Sequence, residues 1–405
     1  MRTLADHPLT IMGHDYQPVI IGGMGVDISS TQLACSAAEM GAIGHISDAM
    51  SPFVSDKNFG TNFTKRKSDR LRVYADSKDK KDVQFDLADL RSGQMKHVEN
   101  AMNQKRGEGA IWINIMEKLT MNNPQGTLEV RLNAALDAGI DGITLSAGLH
   151  TSSLRLMANN PRFRDAQIGI IVSSDRALKL FLRSGSRVER LPDYIIVEGP
   201  LAGGHLGFGE DWPAHSLDTI VADVARLLKA ENLSIPIIAA GGIFTGSDAL
   251  RAVDHGASAI QVATRFTITE ECGLPSNVKQ EYLRSEEKDV VVNCVSPTGY
   301  LMRMLSYSPC LTSNMRPSCE AFGYMLGREG KCQYLDAYDA TPLDEKGKKL
   351  LVKEKICLCY HFSKFNCYTC GHNVFRLKDT TTKNPDGSYK LLKAQDVIKD
   401  YLHNE

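Results

Sequence analysis

The sequence predicts a parallel (β/α)₈ barrel, and three observations lead there. Short apolar runs alternate with helical stretches eight times between residues 18 and 266. The runs are rich in Ile and Val without strict polar alternation, as strands buried on both faces require. Small and polar residues gather at the C-terminal ends of nearly every run: Gly23, Ser47, Asn114, Ser146, Ser173, Glu198, Gly242 and Thr264. A barrel builds its site from all eight strand ends, whereas an open doubly wound sheet uses one crevice. The open sheet would also need a G-x-G-x-x-G turn after its first strand, and GGMGVDIS does not supply it.

Taken in order, the strands are PVIIGGMG (18–25), AIGHIS (42–47), AIWINIM (110–116), GITLSAG (142–148), QIGIIVSS (167–174), YIIVEGP (194–200), PIIAAGG (236–242) and AIQVATRF (259–266). Helical candidates between them include TQLACSAAEMG, TLEVRLNAALDAG, DTIVADVARLLKAE and GSDALRAVDHG. Several end in Gly, which supplies the left-handed residue that closes a helix. Residues 50–109 form a polar insertion after the second strand, helical around DLADLRSGQMKHVENAMNQ. Its position on the site face suits a lid; a surface decoration or subunit contact suits it equally. Beyond residue 290 the strand–helix rhythm stops, which divides the chain into a barrel (1–290) and a Cys-rich extension (291–405).

Composition narrows the class. The 405 residues carry 47 basic and 48 acidic side chains, for a formal net charge of −1. That balance points away from nucleic acid and anionic membranes, which select for excess Lys and Arg. No apolar run is long enough to span a bilayer, and MRTLADHPLT has no apolar signal core, so a cytoplasmic enzyme is expected. Of ten cysteines only Cys35 precedes Cys272, a distribution unlike that of a disulfide-stapled secreted fold.

AAGGIFTGSDAL links the seventh strand to a helix, and QVATRF ends the eighth. Gly241 and Gly242 let main-chain N–H groups approach an anion, a helix N-terminus lies nearby, and Thr264 offers a hydroxyl. Barrels commonly hold phosphate at this position. A plain Gly-rich turn is the alternative.

With those motifs in view, GGMG at 22–25, VEGPLAGGHLGF at 197–208, IPIIAAGGI at 235–243 and QVATRFTITEEC at 261–272 resemble the nitronate monooxygenases, also called 2-nitropropane dioxygenases. The resemblance covers about residues 10–275, and SPTGYLMRM at 296–304 is similar to a segment after the barrel in the same superfamily. It implies FMN across the barrel mouth, with Gly23 and Met24 lining the flavin ring and Asn114 hydrogen-bonding it. Gly203 and Gly204 would approach the cofactor, and Gly241, Gly242, Gln261, Ala263 and Thr264 would hold its phosphate and ribityl end. Glu198 stands where the family often has Gln, and a carboxylate cannot donate a hydrogen bond unless protonated. Ala263 replaces what is often Gly but keeps its N–H.

His205 follows two glycines after strand six and is the candidate catalytic group among eleven histidines. Imidazole can take a proton from a nitroalkane carbon or stabilise charge on a bound nitronate. The resemblance implies that the flavin would then perform the redox chemistry with O₂. His45 and Asp48 are expected to face the same mouth, His45 in a structural role, and Ser146, Ser173 and Ser174 to line it. Two alternatives stand beside the nitronate reading. One is NAD(P)H-driven reduction of an enoyl thioester or quinone on the same scaffold. The other is a non-redox sugar-phosphate barrel or an inactive partner subunit. A homo-oligomer is compatible with each.

Finally, Cys357, Cys359, Cys367 and Cys370 form C-x-C-x₇-C-x₂-C, with His361 and His372 nearby. Four thiolates at this spacing predict a structural zinc site or an iron–sulfur cluster; reduced thiols without metal are the alternative.

Overall fold

The computed structural model describes residues 2–77, 80, 82–117, 119, 122–323 and 331–403. Its centre is a closed parallel barrel of β1 (Val19–Ile21), β2 (Ile43–Ser47), β3 (Ala110–Met116), β4 (Gly142–Ser146), β5 (Gln167–Val172), β6 (Tyr194–Glu198), β7 (Ile237–Ala240) and β8 (Ala259–Val262). All eight predicted strands are present and neighbour one another in chain order, with β8 returning to β1.

The inside of the barrel is filled, so its only use is at an end. Trp112 stacks on Tyr194 with ring centroids 4.0 Å apart and donates from Nε1 to Gln167 Oε1 at 2.8 Å. Gly169 makes room for this pair: a Cβ there would lie 2.1 Å from the Tyr194 ring. His45 is fully buried in the same layer, held by Ile21 O at 2.8 Å and Thr144 Oγ1 at 2.6 Å. It therefore supports the barrel from within. An N-terminal hairpin, Leu9–Ile11 with His14–Tyr16, packs its Leu9, Ile11 and Tyr16 into this interior and closes the lower end.

The surrounding helices are α1 (Thr31–Glu39), α2 (Leu87–Gln104), α3 (Pro124–Asp137), α4 (Ser153–Met157), α5 (Asp175–Gly185), α6 (Leu217–Ala230), α7 (Gly246–Asp254) and α8 (Ala394–His403). Gly41, Gly139 and Gly256, just beyond three of them, all adopt positive φ, as the sequence suggested.

Two expectations need correction. The helical part of the 50–109 insertion is α2 itself, packed against α1 and α3 in the barrel's outer ring. Asp86 caps it by accepting from Ala88 and Asp89 N–H, and Leu90, Val98 and Ala101 bury its apolar face. The true addition is the shorter stretch containing helices Ser51–Phe59 and Phe63–Arg70.

The second correction concerns residue 290. The last helix, α8, packs against both α1 and α7, burying Val397, Ile398, Tyr401 and Leu402, and so occupies the eighth place in the ring. Residues 263–393 thus connect β8 to α8 in sequence, and among those described Thr298, Tyr300, Phe362, Thr369, Cys370 and Gly371 line the mouth. The periodicity hid this because the helix follows its strand at such a distance. Within the connection, strands Val290–Asn293 and Met302–Leu305 form an antiparallel sheet with Gly204–His205. Among the described residues no helix is long and apolar enough to cross a membrane.

Candidate active site

A cavity of about 1310 Å³ opens at the C-terminal ends of the strands. Gly23, Met24, Asn114, Glu198, Gly203, Gly204, His205, Gly241, Gly242, Gln261, Ala263 and Thr264 all line it. Ser146, Ser173 and Ser174 line it as well. Asp48 does not: it is fully buried beneath the mouth in an ion pair with Arg131. Arg131 also donates to Met116 O at 2.9 Å, so the pair fixes the end of β3 that presents Asn114.

The floor at β1 and β3 is closely fitted. Met24 N–H donates to Ser29 Oγ at 2.8 Å, which in turn donates to Gly22 O at 2.9 Å. A Cβ on Gly23 would lie 2.4 Å from that of Asn114. Gln261 Oε1 is buried beside Gly22 without a hydrogen-bond partner among the described residues, an acceptor that a bound group would satisfy.

At β7 and β8, Gly241 and Gly242 have φ of +93° and +90°, and a Cβ on either would meet the loop after β6 at 2.9 Å. The 3₁₀ helix Thr264–Ile268 starts at this wall. The N-terminus of α7 is less available than the sequence suggested, because Asp248 already accepts from Phe244 N–H at 3.1 Å and Thr245 N–H at 3.0 Å. The open main chain of the glycine pair, Thr264 and the short 3₁₀ helix remain. This is the arrangement by which barrels cradle a phosphate.

The segment 369–373 forms a wall that sequence reasoning missed. Cys370 and Gly371 pack on Gly203, where a Cβ would come within 2.7 Å of their main chain. His372 N–H donates to Leu201 O at 3.1 Å, and Asn373 Nδ2 donates to Gly242 O at 2.8 Å. Arg303, also unforeseen, is fully buried and donates to the carbonyls of Pro200 and Ala202. The loop carrying Gly203–His205 is therefore clasped from the long final connection. Only the SPTGYLMRM segment hinted at this.

Around β6, Glu198 and His205 stand half-buried on the cavity wall. Burial pushes the Glu198 carboxyl up to about 7 despite Arg303 nearby, so a protonated, donating form is accessible near neutrality. Burial lowers the His205 imidazole to about 4, which keeps the ring neutral. Its Nε2 lies 2.6 Å from Ser296 Oγ.

The expected metal site does not form. Among the described residues no group of three or more His, Cys, Asp or Glu side chains is placed to hold a metal. Cys357 packs with Cys332 and Tyr334, and Cys359 borders the same small crevice. Cys367 packs with Cys310, and Cys370 lines the main cavity. Helix Leu358–Ser363 and two separate apolar clusters draw the four thiols apart, although their spacing in sequence suits a metal.

An open glycine pair, an orphan acceptor and a half-buried imidazole share one large cavity at the mouth of a filled barrel. The chain belongs to the nitronate monooxygenase family, which it matches over residues 8–308. A "Probable nitronate monooxygenase" of Staphylococcus haemolyticus is 32% identical over 108 residues, 25% of this chain and 29% of that protein. A hydroxy-methyl-oxo-octahydroindene-carboxyl-CoA dehydrogenase of Rhodococcus jostii is 31% identical over 101 residues, 25% of this chain and 26% of its own. The chain thus spans little more than a quarter of the length of these curated relatives. Among solved structures, FabK from Thermotoga maritima superposes with TM-score 0.56 at 19% identity, covering 99% of this chain and 95% of its own. A nitroalkane oxidase from Streptomyces ansochromogenes does so with TM-score 0.58 at 15% identity, covering 95% and 94%. At such identities the structures attest the fold alone.

Proposed function

We propose that the protein is an FMN-dependent nitronate monooxygenase that oxidatively denitrifies alkyl nitronates, or the parent nitroalkanes, with O₂. The observation that carries this reading is one cavity joining the glycine cradle at Gly241–Gly242 to His205. The cradle suits a terminal monophosphate, and Gly23, Met24, Asn114 and Gln261 suit a planar ring above β1 and β3. When bound, FMN supplies the electron transfer from substrate and the reaction with O₂. His205 orients the nitro group and handles the proton at the adjacent carbon, while Ser146 and Ser173 offer hydroxyls to the substrate. Glu198 in its protonated form donates where the family's usual Gln would.

A second reading is favoured by the size of the cavity. Single-ligand pockets run to roughly 300–1,000 Å³, and this one exceeds that range. Its side over β2 and β3, opposite the cradle, is apolar, with Val26, Ala49, Met50, Met116, Leu119 and Phe362. That wall suits the acyl part of a thioester reduced at the expense of NAD(P)H.

Both readings require FMN. Denaturing the purified yellow protein and chromatographing the released flavin tests them together. FMN is the expected product; recovery of FAD alone, or of no flavin after reconstitution, would remove the basis for both. NADH consumption without nitronate then separates the second reading from the first.

A further inference from the structure

The antiparallel pairing of Met302 with His205, and the bond from Leu206 N–H to Leu301 O at 2.9 Å, lay the turn 296–300 beside the imidazole. His205 Nε2 meets Ser296 Oγ at 2.6 Å, and Ser296 Oγ meets Thr298 Oγ1 at 2.7 Å. Ser296 is fully buried, whereas Thr298 lines the cavity. Each hydroxyl oxygen also receives a main-chain N–H: Thr298 N–H at 3.3 Å for Ser296, and Tyr300 N–H at 3.4 Å for Thr298. A hydroxyl has two acceptor positions and one proton. With one acceptor position of each taken by the main chain, one acceptor and one donor position remain in line with the neighbours. The chain can therefore run from His205 to Thr298 or back, by turning two O–H rotors and moving no heavy atom.

We propose that Ser296 and Thr298 are a proton relay behind His205, which takes a proton from the substrate at Nδ1 while releasing its Nε2 proton. The inference rests on the reading above that a substrate with an acidic C–H enters this cavity. Among the described residues Nδ1 has no hydrogen-bond partner, and His205 lines the cavity. The substrate proton passes to Nδ1 and the electron pair stays on the substrate carbon. The Nε2 proton passes to Ser296 Oγ, the Ser296 proton to Thr298 Oγ1, and the Thr298 proton to water in the cavity. One proton leaves for solvent and the imidazole is neutral before and after. That matters here, because burial opposes an imidazolium at this position. Of the ionisable groups on the surrounding elements, Lys355 donates to the Ser296 carbonyl at 3.3 Å, and none of Glu198, Asp211, His215, Arg303, Lys355 and Cys370 hydrogen-bonds the imidazole.

The test compares Ser296→Ala, Ser296→Thr and Thr298→Val with the parent, all FMN-loaded and matched for flavin content. Each is mixed anaerobically with neutral nitroethane and, separately, with preformed ethylnitronate. Two signals are followed: exchange of the nitroethane α-hydrogen into D₂O by NMR, and flavin bleaching. Ser296→Ala should slow both signals with nitroethane by at least ~10²-fold, the scale of a positioned acid–base group. Bleaching by the nitronate, which has no proton to lose, should change little. Ser296→Thr should restore nitroethane turnover, and Thr298→Val should fall between. Equal losses with both substrates, or unchanged exchange in Ser296→Ala, would overturn the relay. If the parent exchanges the α-hydrogen but neither substrate bleaches its flavin, the functional reading fails while the relay stands.

Discussion

His205 gains its setting from three directions: two glycines before it, an antiparallel partner at Met302, and the Ser296 hydroxyl at Nε2. Substituting Asn keeps polarity and approximate size but removes the titratable ring. His205→Asn should retain FMN and lose at least ~10²-fold in turnover of neutral nitroalkanes, measured by steady-state oxygen uptake. Near-normal turnover would reduce His205 to a loop residue. Glu198 gives a thermodynamic check that needs no substrate. Its carboxyl is raised from 4.5 to about 7, so between those values the folded chain holds a proton that the unfolded chain has released. The associated stability is complete below the lower value and is lost as pH rises through the upper one. The melting temperature of the apoprotein should therefore fall relative to that of Glu198→Gln as pH is raised through this window. Parallel curves would show that Glu198 titrates normally.

At the scale of elements, two devices hold the mouth. The buried Asp48–Arg131 pair joins the end of β2 to α3 and, through Met116, to the end of β3. Removing one partner strands the other charge in a dry interior, so Asp48→Ala should cost about 3–5 kcal/mol in urea denaturation. A loss within experimental error would mean that water reaches Arg131. The second device is the contact between the added helices after β2 and the long final connection. Lys67 Nζ donates to Cys319 O at 2.7 Å, and Phe53 packs edge-on against Phe322 at 5.5 Å. Because Met50 and Phe362 line the cavity beside this contact, shortening the Phe63–Arg70 helix should raise KM for longer substrates more than it weakens FMN binding. A change in oligomeric state with unaltered kinetics would assign the stretch to an interface.

Across the whole molecule, the sequence was most legible where periodicity and chemistry agreed. The strands were readable because burial on both faces demands unbroken Ile and Val runs, and the predicted lining residues meet because barrel topology collects strand ends. Long-range closure was not readable. Nothing local in AQDVIKDYLH says that it packs between α1 and α7, since its apolar face would suit many partners. Ser296, Thr298, Arg303 and Asn373 escaped for the same reason, as their roles arise only when the final connection folds back over the mouth. The cysteine spacing misled because proximity in sequence does not fix where thiols point once a helix intervenes. What joins these scales is the claim that nitronate oxidation takes place on FMN held in this cavity. Anaerobic mixing of the purified holoenzyme with an alkyl nitronate, followed at the flavin absorbance, tests it most directly. The account predicts bleaching by the nitronate, with colour restored on admitting O₂ and nitrite released. Flavin that stays oxidised with nitronate yet bleaches with NADH would contradict it and favour the thioester reductase instead.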